Sequence, residues 1–228
     1  MLPIQRLDKQ PVGPEAPRYC VPPAIIVTSA EEVVDAEVIV ADFGESFICH
    51  GDTTRTDVTL RTPVLLLPPE SIFEEGLGKS IDAWTAGLTI YEILGERPLF
   101  EGFVPDGDHA LAEMISTLGP LPDRWWTKWS TKGEFFLDDG TWKQDTTRCH
   151  APYSRPLSER LRIMGRGEGG EEGGEGFSSR ELTALEAFLG SLLTYEPSER
   201  ITAAAAQDEA WVVEYGLPAV KRNRAGGH

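Results

Sequence analysis

The sequence predicts a mainly α-helical domain with a short β element at its front. Three observations carry this. Apolar residues recur at helical spacing in four stretches: 81–94, 107–118, 178–193 and 202–211. Only Ala24–Thr28 and Glu37–Ala41 have the β-branched, apolar character of strands, and both precede every helix. At 228 residues and 40% hydrophobic content, the chain can bury one core of ordinary size.

Residues 1–35 read as an irregular lead-in, because Pro3, Pro11, Pro14, Pro17, Pro22 and Pro23 interrupt any regular pattern. Glu37–Ala41 is the better of the two strands and runs into Asp42-Phe43-Gly44, where the glycine permits a sharp change of direction. Residues 51–61 are rich in Thr and Asp and read as loop, and 63–69 is apolar and bounded by proline. The 81–94 stretch is apolar on most of its faces, which predicts a core helix with Gly95 as its C-cap.

An amphipathic helix over 107–118 is closed by Gly119-Pro120. Residues 121–150 hold four tryptophans among charges and read as an irregular packed excursion. Leu157–Met164 has the length of a short helix. The Gly/Glu run at 165–176 reads as a disordered acidic insert. Ser178 or Ser179 caps the next helix, and Thr202 opens a last one reaching about Trp211. The main domain is expected to cover 36–217, and residues 218–228 read as a flexible tail.

The formal net charge of −16 argues against nucleic acid and against anionic membrane as partners, because both need Lys and Arg to replace counterions. It suits a basic partner, or simply solubility. Cys20, Cys49 and Cys149 are far apart and form no CxxC, so neither a zinc site nor a disulfide framework is indicated. No apolar run approaches the ~20 residues of a membrane helix, and the N-terminus lacks the apolar centre of a signal peptide. The expected location is cytoplasmic or nuclear.

The chemistry lies in an ordered series. Asp42-Phe43-Gly44 follows a strand. Pro68-Pro69-Glu70 comes 28 residues later. Asp82-Ala83-Trp84-Thr85-Ala86-Gly87 sits on the core helix. Glu196-Pro197-Ser198-Glu199-Arg200 lies near the end. This series resembles the second half of the eukaryotic protein-kinase signature set. Pro68 stands where that pattern has Ala, and Glu196 where it has Asp. Glu-Ser-Phe after Gly44, Arg61-Thr62-Pro63, and Leu118-Gly119-Pro120-Leu121-Pro122 with Trp125-Trp126 resemble the SR-protein-kinase-like group common in fungi.

The resemblance implies an α+β kinase-like fold of which this chain holds the helical C-lobe, the N-lobe being absent. It implies that Asp42 chelates the Mg²⁺ that bridges the phosphates of ATP, a role that suits a hard carboxylate oxygen. It implies that Phe43 packs inward. Glu70 and Arg200 would form a buried ion pair, with Trp84 beside them on the core helix. Asp82 would hold the backbone of the catalytic loop, or act only as a helix-start aspartate favoured by the macrodipole. Thr53, Thr54, Thr56, Thr59 and Thr62 fall in the implied activation segment, where Arg55 and Arg61 could meet a phosphate. Thr62 would line the substrate-facing loop.

No Gly-rich loop, no strand lysine and no His-Arg-Asp-x-x-x-x-Asn precedes Asp42. His50-Gly51-Asp52 lies on the wrong side of Asp42 to serve as a catalytic triplet. Gly165–Gly170 matches Gly-x-Gly-x-x-Gly but follows no strand and is flanked by glutamates. Two functions stay open. The chain is part of a serine/threonine kinase that phosphorylates protein substrates, basic Arg/Ser-rich ones by the resemblance, and is a truncated fragment inactive alone. Otherwise it is a non-catalytic pseudokinase-like scaffold that needs neither ATP nor Mg²⁺, with a partner covering the exposed face around Phe43.

Overall fold

In the computed structural model the described residues are 2–3, 8–17, 19–20, 39–51, 53–102, 105–144, 148, 152–164 and 176–226. The chain divides into two compact units, residues 1–38 with 223–228, and residues 39–222. In the smaller unit, strand β1 (Leu2–Pro3) pairs antiparallel with β2 (Tyr19–Cys20), setting Leu2 opposite Cys20. The lead-in thus contains a short ladder that its proline content hides. Pro3 is tolerated because it opens no interior position of a larger sheet. The Ala24–Thr28 strand lies outside the described residues.

The larger unit is helical, and among its described residues there is no strand longer than an isolated bridge. The strand expected at Glu37–Ala41 is corrected over its described part. Ile39–Ala41 has no regular secondary structure and no ladder partner, with Ile39 83% and Val40 75% exposed. β-branched residues favour an extended backbone, but a strand also needs a neighbour for its N–H and C=O groups. None is present among the described residues.

Seven helices of this unit are numbered in order: α1 (Pro69–Ile72), α2 (Ser80–Gly95), α3 (Gly107–Leu118), α4 (Asp123–Lys128), α5 (Leu157–Ile163), α6 (Ser179–Leu192) and α7 (Ala203–Ala206). A five-residue π-helical turn, Val212–Gly216, then leads into α8 (Leu217–Gly226). The core lies where α2 and α5 pack against α6 and α3 packs against α5. Trp84, Trp125, Tyr91, Phe100 and Phe135 are its largest buried side chains.

Local chemistry explains the helix starts. Asp106 caps α3 by accepting from the His109 N–H, Ser178 caps α6 through the Glu181 N–H, and Thr202 caps α7 through the Ala205 N–H. Four expectations need correction. Gly95 is the last helical residue of α2, and the left-handed C-cap is Glu96, at φ 56°. A Cβ on Gly95 would lie 3.1 Å from Met164 Cβ, so glycine is needed there for close packing rather than for backbone freedom. α2 buries one face only, since Ile93 is 68% exposed. In contrast, α3 is buried continuously from Ala110 to Thr117, including Glu113 and Ser116 on its polar side. The 218–228 stretch, expected to be a flexible tail, lies in a helix through Gly226.

The tryptophan-rich excursion contains a short helix, α4, and an aromatic cluster in which Trp129 meets Phe135 and Phe136, and Phe136 meets Trp142. The Gly/Glu run from 165 lies outside the described residues up to 175.

Candidate functional site

Arg200 is the centre of the best-formed site in the larger unit. Pro68 is extended and Pro69 begins α1, which places Glu70 in the first turn with its carboxylate buried. Arg200 Nη1 donates to Glu70 Oε1 at 2.6 Å and Nη2 to Oε2 at 2.7 Å, a bidentate pair with both side chains at most 1% exposed. The remaining donors are also used. Nη1 reaches Ser80 O at 3.2 Å, Nη2 reaches Tyr195 O at 3.1 Å, and Nε reaches Thr194 O at 2.8 Å. A guanidinium has five N–H groups, and here all five have acceptors. Its plane also lies 4.9 Å from the Trp84 ring. Trp84 is fully buried, and its indole N–H finds no acceptor among the described residues.

The arrangement ties three distant pieces together: the 68–72 segment, the start of α2, and the turn after α6. Gly87, one helical turn beyond Trp84, closes the same junction. A Cβ there would lie 3.0 Å from Leu192 Cβ and from Leu193 Cδ2, so α2 and α6 approach at this point because glycine has no side chain. Asp82 lies in the first turn of α2 and is exposed, and its carboxylate has no hydrogen-bond partner among the described residues.

Glu196 forms an ion pair with Arg124 of α4, whose guanidinium also stacks 4.2 Å from Trp125. The longer Glu side chain, in place of Asp, reaches that partner. Glu75 accepts from Trp125 Nε1 at 2.8 Å and from Lys128 at 3.1 Å. Burial raises the Glu75 carboxyl, but these donors together with Arg124 hold it below the usual range. Burial alone pushes the neighbouring Tyr195 hydroxyl far up.

The Asp42-Phe43-Gly44 turn differs from expectation in two ways. The residue with the left-handed backbone is Asp42, at φ 64° and ψ 60°, while Gly44 has no positive φ. Aspartate is one of the few residues that tolerate this region. The 3-10 turn Phe43–Glu45 that follows is closed by Ser46, whose N–H and Oγ both donate to Phe43 O. Phe43 is 66% exposed and does not pack inward. Nothing in segment 39–48 is bonded to the helices beyond this local turn among the described residues, so no apolar wall holds the ring.

Further along, Arg55 and Leu77 exchange both backbone hydrogen bonds at 2.8 Å and pin the loop to the 76–78 segment. The Arg55 side chain is held by Asp57, at 3.0 and 2.6 Å. Thr62 is half-buried, and Thr53, Thr54, Thr56 and Thr59 are exposed. Asp52 and the glycines of 165–170 lie outside the described residues.

Asp42 has the chemistry of a metal ligand. Its carboxylate is exposed and has no partner among the described residues, and Mg²⁺ needs few protein ligands when phosphate oxygens and water complete its shell. The donor type therefore fits. A self-sufficient cage does not exist, since no three His, Cys, Asp or Glu side chains among the described residues are grouped to hold a metal.

One buried cluster had no signal in the sequence. Glu113 of α3 accepts from Arg160 Nη2 at 2.8 Å and from Arg155 Nη2 at 3.0 and 3.2 Å. Arg155 also reaches Glu101, which pairs with Arg97. Burial raises the Glu101 carboxyl, but the two arginines hold it below the usual range. These residues come from three segments, 97–101, α3 and 155–160, and no spacing rule joins one segment to another.

The protein kinase domain family matches residues 25–212, and the chain belongs to that family. It is similar to a serine/threonine protein kinase of Aspergillus fumigatus, with 26% identity over 181 residues, covering 77% of this chain and 40% of that protein. The probable serine/threonine-protein kinase dyrk2 of Dictyostelium discoideum is 30% identical over 154 residues, 66% of this chain and 15% of that protein. Cyclin-dependent kinase G-2 of Oryza sativa is 29% identical over 176 residues, 74% of this chain and 20% of that protein. The chain thus spans well under half the length of these relatives. Among the described residues, no helix is long and apolar enough to cross a membrane.

Proposed function

We propose that these 228 residues form the helical, substrate-side part of a serine/threonine protein kinase of the SR-protein-kinase-like group, and that they do not transfer phosphate by themselves. The observation that carries the reading is the fully satisfied Glu70–Arg200 pair. It anchors the segment running from Asp42 to the helices, and so sets where a substrate-facing loop containing Thr62 would sit.

In this reading Asp42 holds Mg²⁺, and its left-handed backbone is what presents the carboxylate at a turn. The metal, when bound with ATP, would neutralise charge on the transferred phosphoryl group. Asp82, exposed and unpaired among the described residues, is free to bind the backbone of a catalytic loop. Taking the proton from the substrate hydroxyl and covering the phosphates need a base, a lysine and a Gly-rich loop that precede Asp42 in kinases and are absent from this sequence. The net charge of −16 favours basic protein substrates, Arg/Ser-rich ones by group resemblance.

A second reading, a non-catalytic scaffold, is favoured by the exposure of Ile39, Val40, Phe43 and Ile48, at 66–83%. A partner covering these side chains would bury them.

Thermal shift and calorimetry with ATP and Mg²⁺ separate the two. Stabilisation that needs both Mg²⁺ and the Asp42 carboxylate, and is lost in Asp42→Ala, is expected for the first reading. No shift at about millimolar nucleotide, well above common nucleotide affinities, supports the scaffold.

A further inference from the structure

A groove in the larger unit is used by nothing described above. It has a volume of about 470 Å³, and its walls include Pro120, Phe136, Trp142, Pro152 and Tyr153. One wall is a tight hairpin. Phe136 and Trp142 form a bridge, Leu137 N donates to Thr141 O at 2.8 Å, and Lys143 N donates to Phe135 O at 2.8 Å. Gly140 turns the tip at φ 81°. The two walls are cross-linked by Gln144 Nε2, which donates to Pro152 O at 3.1 Å. Ser116 Oγ donates to Tyr153 O at 3.2 Å and fixes that backbone to α3. The groove is therefore formed before anything enters it, which lowers the ordering cost of binding.

The chemistry of the walls selects the occupant. The faces are aromatic rings and prolines, with the Trp142 ring tilted at 42° to Phe136, their centroids 4.3 Å apart, and Tyr153 55% exposed. Two of the polar groups at hand are donors. Trp142 Nε1 reaches Ser154 Oγ only at 3.4 Å, and the Tyr153 hydroxyl has no partner among the described residues. A helical ligand hides its carbonyls and would leave these donors idle. An extended polyproline segment offers apolar rings and unpaired carbonyls together, and its bound shape exists beforehand.

Charge adds a second requirement. At the hairpin tip, Asp139 Oδ1 accepts from Thr141 N at 2.9 Å and from Thr141 Oγ1 at 2.6 Å, which fixes the carboxylate beside a residue that lines the groove. Asp138 is exposed next to it, and the whole chain carries −16. A basic side chain on the ligand would meet this edge.

We propose that the groove between the 135–143 hairpin and residues 152–154 docks a proline-rich, extended segment of a partner protein that carries a basic residue. The site is separate from Asp42 and independent of nucleotide.

The test is fluorescence anisotropy of the full chain with a labelled peptide that alternates proline and leucine and ends in arginine. Saturable binding in roughly the ten-to-hundred-micromolar range is expected, as for a small preformed groove. Tyr153→Ala and Asp139→Asn should each weaken it about five- to tenfold, and Tyr153→Phe about two- to threefold. These side chains are exposed, so folding should persist, and circular dichroism checks it. ATP and Mg²⁺ should leave the affinity unchanged. The proposal is overturned by no saturation at about millimolar peptide. It is equally overturned if the peptide with alanine for proline binds as well, or if an arginine–serine repeat binds more tightly and ignores Tyr153→Ala. Self-association of the chain that Tyr153→Ala abolishes would assign the groove to a second copy instead.

Discussion

Arg200 shows how much one side chain can settle. Among the described residues it is the only side chain that reaches Glu70, Ser80, Thr194 and Tyr195 together. Burying two charges is repaid only when geometry and further hydrogen bonds are complete, and here they are. Glu70→Ala and Arg200→Ala are each expected to cost on the order of 3–5 kcal/mol, because the surviving charge stays buried and unpaired. The double variant should cost less than the sum, as read from urea midpoints. Losses that simply add would show that the two act independently. Arg200→Lys keeps the charge but cannot fill five acceptors, and should still lose about 2 kcal/mol.

Asp106 makes the residue-scale case for pH. Burial opposes its charge, but hydrogen bonds from the His109 backbone and ring and from Arg148 bring it down to about 2. A carboxyl lowered on folding contributes stability that is complete above its ordinary value near 3.8 and is lost as pH falls through about 2. The side chain is 48% exposed, so solvent reduces the contribution. Asp106→Asn should therefore lower Tm slightly at neutral pH, and the gap to wild type should close between roughly pH 4 and pH 2. A gap that persists at low pH would mean that the N-cap geometry, not the charge, matters.

At the scale of elements, two glycines make opposite predictions. Gly87 of α2 meets Leu192 and Leu193, and Gly87→Ala should cost about 1–3 kcal/mol as α2 and α6 are forced apart. Gly190 of α6 has nothing within 4 Å of an added Cβ, and Gly190→Ala should stabilise by about 0.5–1 kcal/mol through helix propensity alone. Equal effects of the two changes in thermal melts would contradict the close approach at Gly87. α3 teaches a related point. Its amphipathic pattern marks one buried face, yet Glu113, Ser116 and Thr117 are buried as well, because Arg155, Arg160 and local carbonyls are there to receive them. Periodicity counts apolar residues and cannot foresee partners supplied by α5 and the segment before it.

For the whole molecule, the question is what covers segment 39–48. Four large apolar side chains there are exposed. Phe43→Ser combined with Ile48→Ser should reduce binding of an apolar dye and any self-association, while leaving the melting of the helical unit nearly unchanged, since these residues contribute little to its core. A large drop in Tm would mean that the segment is part of the folded unit in solution.

Helix positions at 80–95, 107–118 and 179–192 were legible in the sequence because caps and apolar spacing are local, and local signals survive without tertiary context. The ordered series from Asp42 to Arg200 was legible for a related reason: its residue types are specific, and Glu70 and Arg200 do meet although 130 positions separate them. Tertiary structure alone decided the rest. Whether Ile39–Ala41 pairs as a strand depends on a neighbour that sequence pattern does not supply. Whether Phe43 is buried depends on a wall. Gly95 serves Met164 rather than a turn, and the Glu113 cluster gathers side chains from segments that no spacing rule connects. Local signals in the chain set the helices and the chemical types at the key positions. The three-dimensional packing determined which of those groups have partners, because hydrogen bonding and burial are properties of neighbours and not of residues.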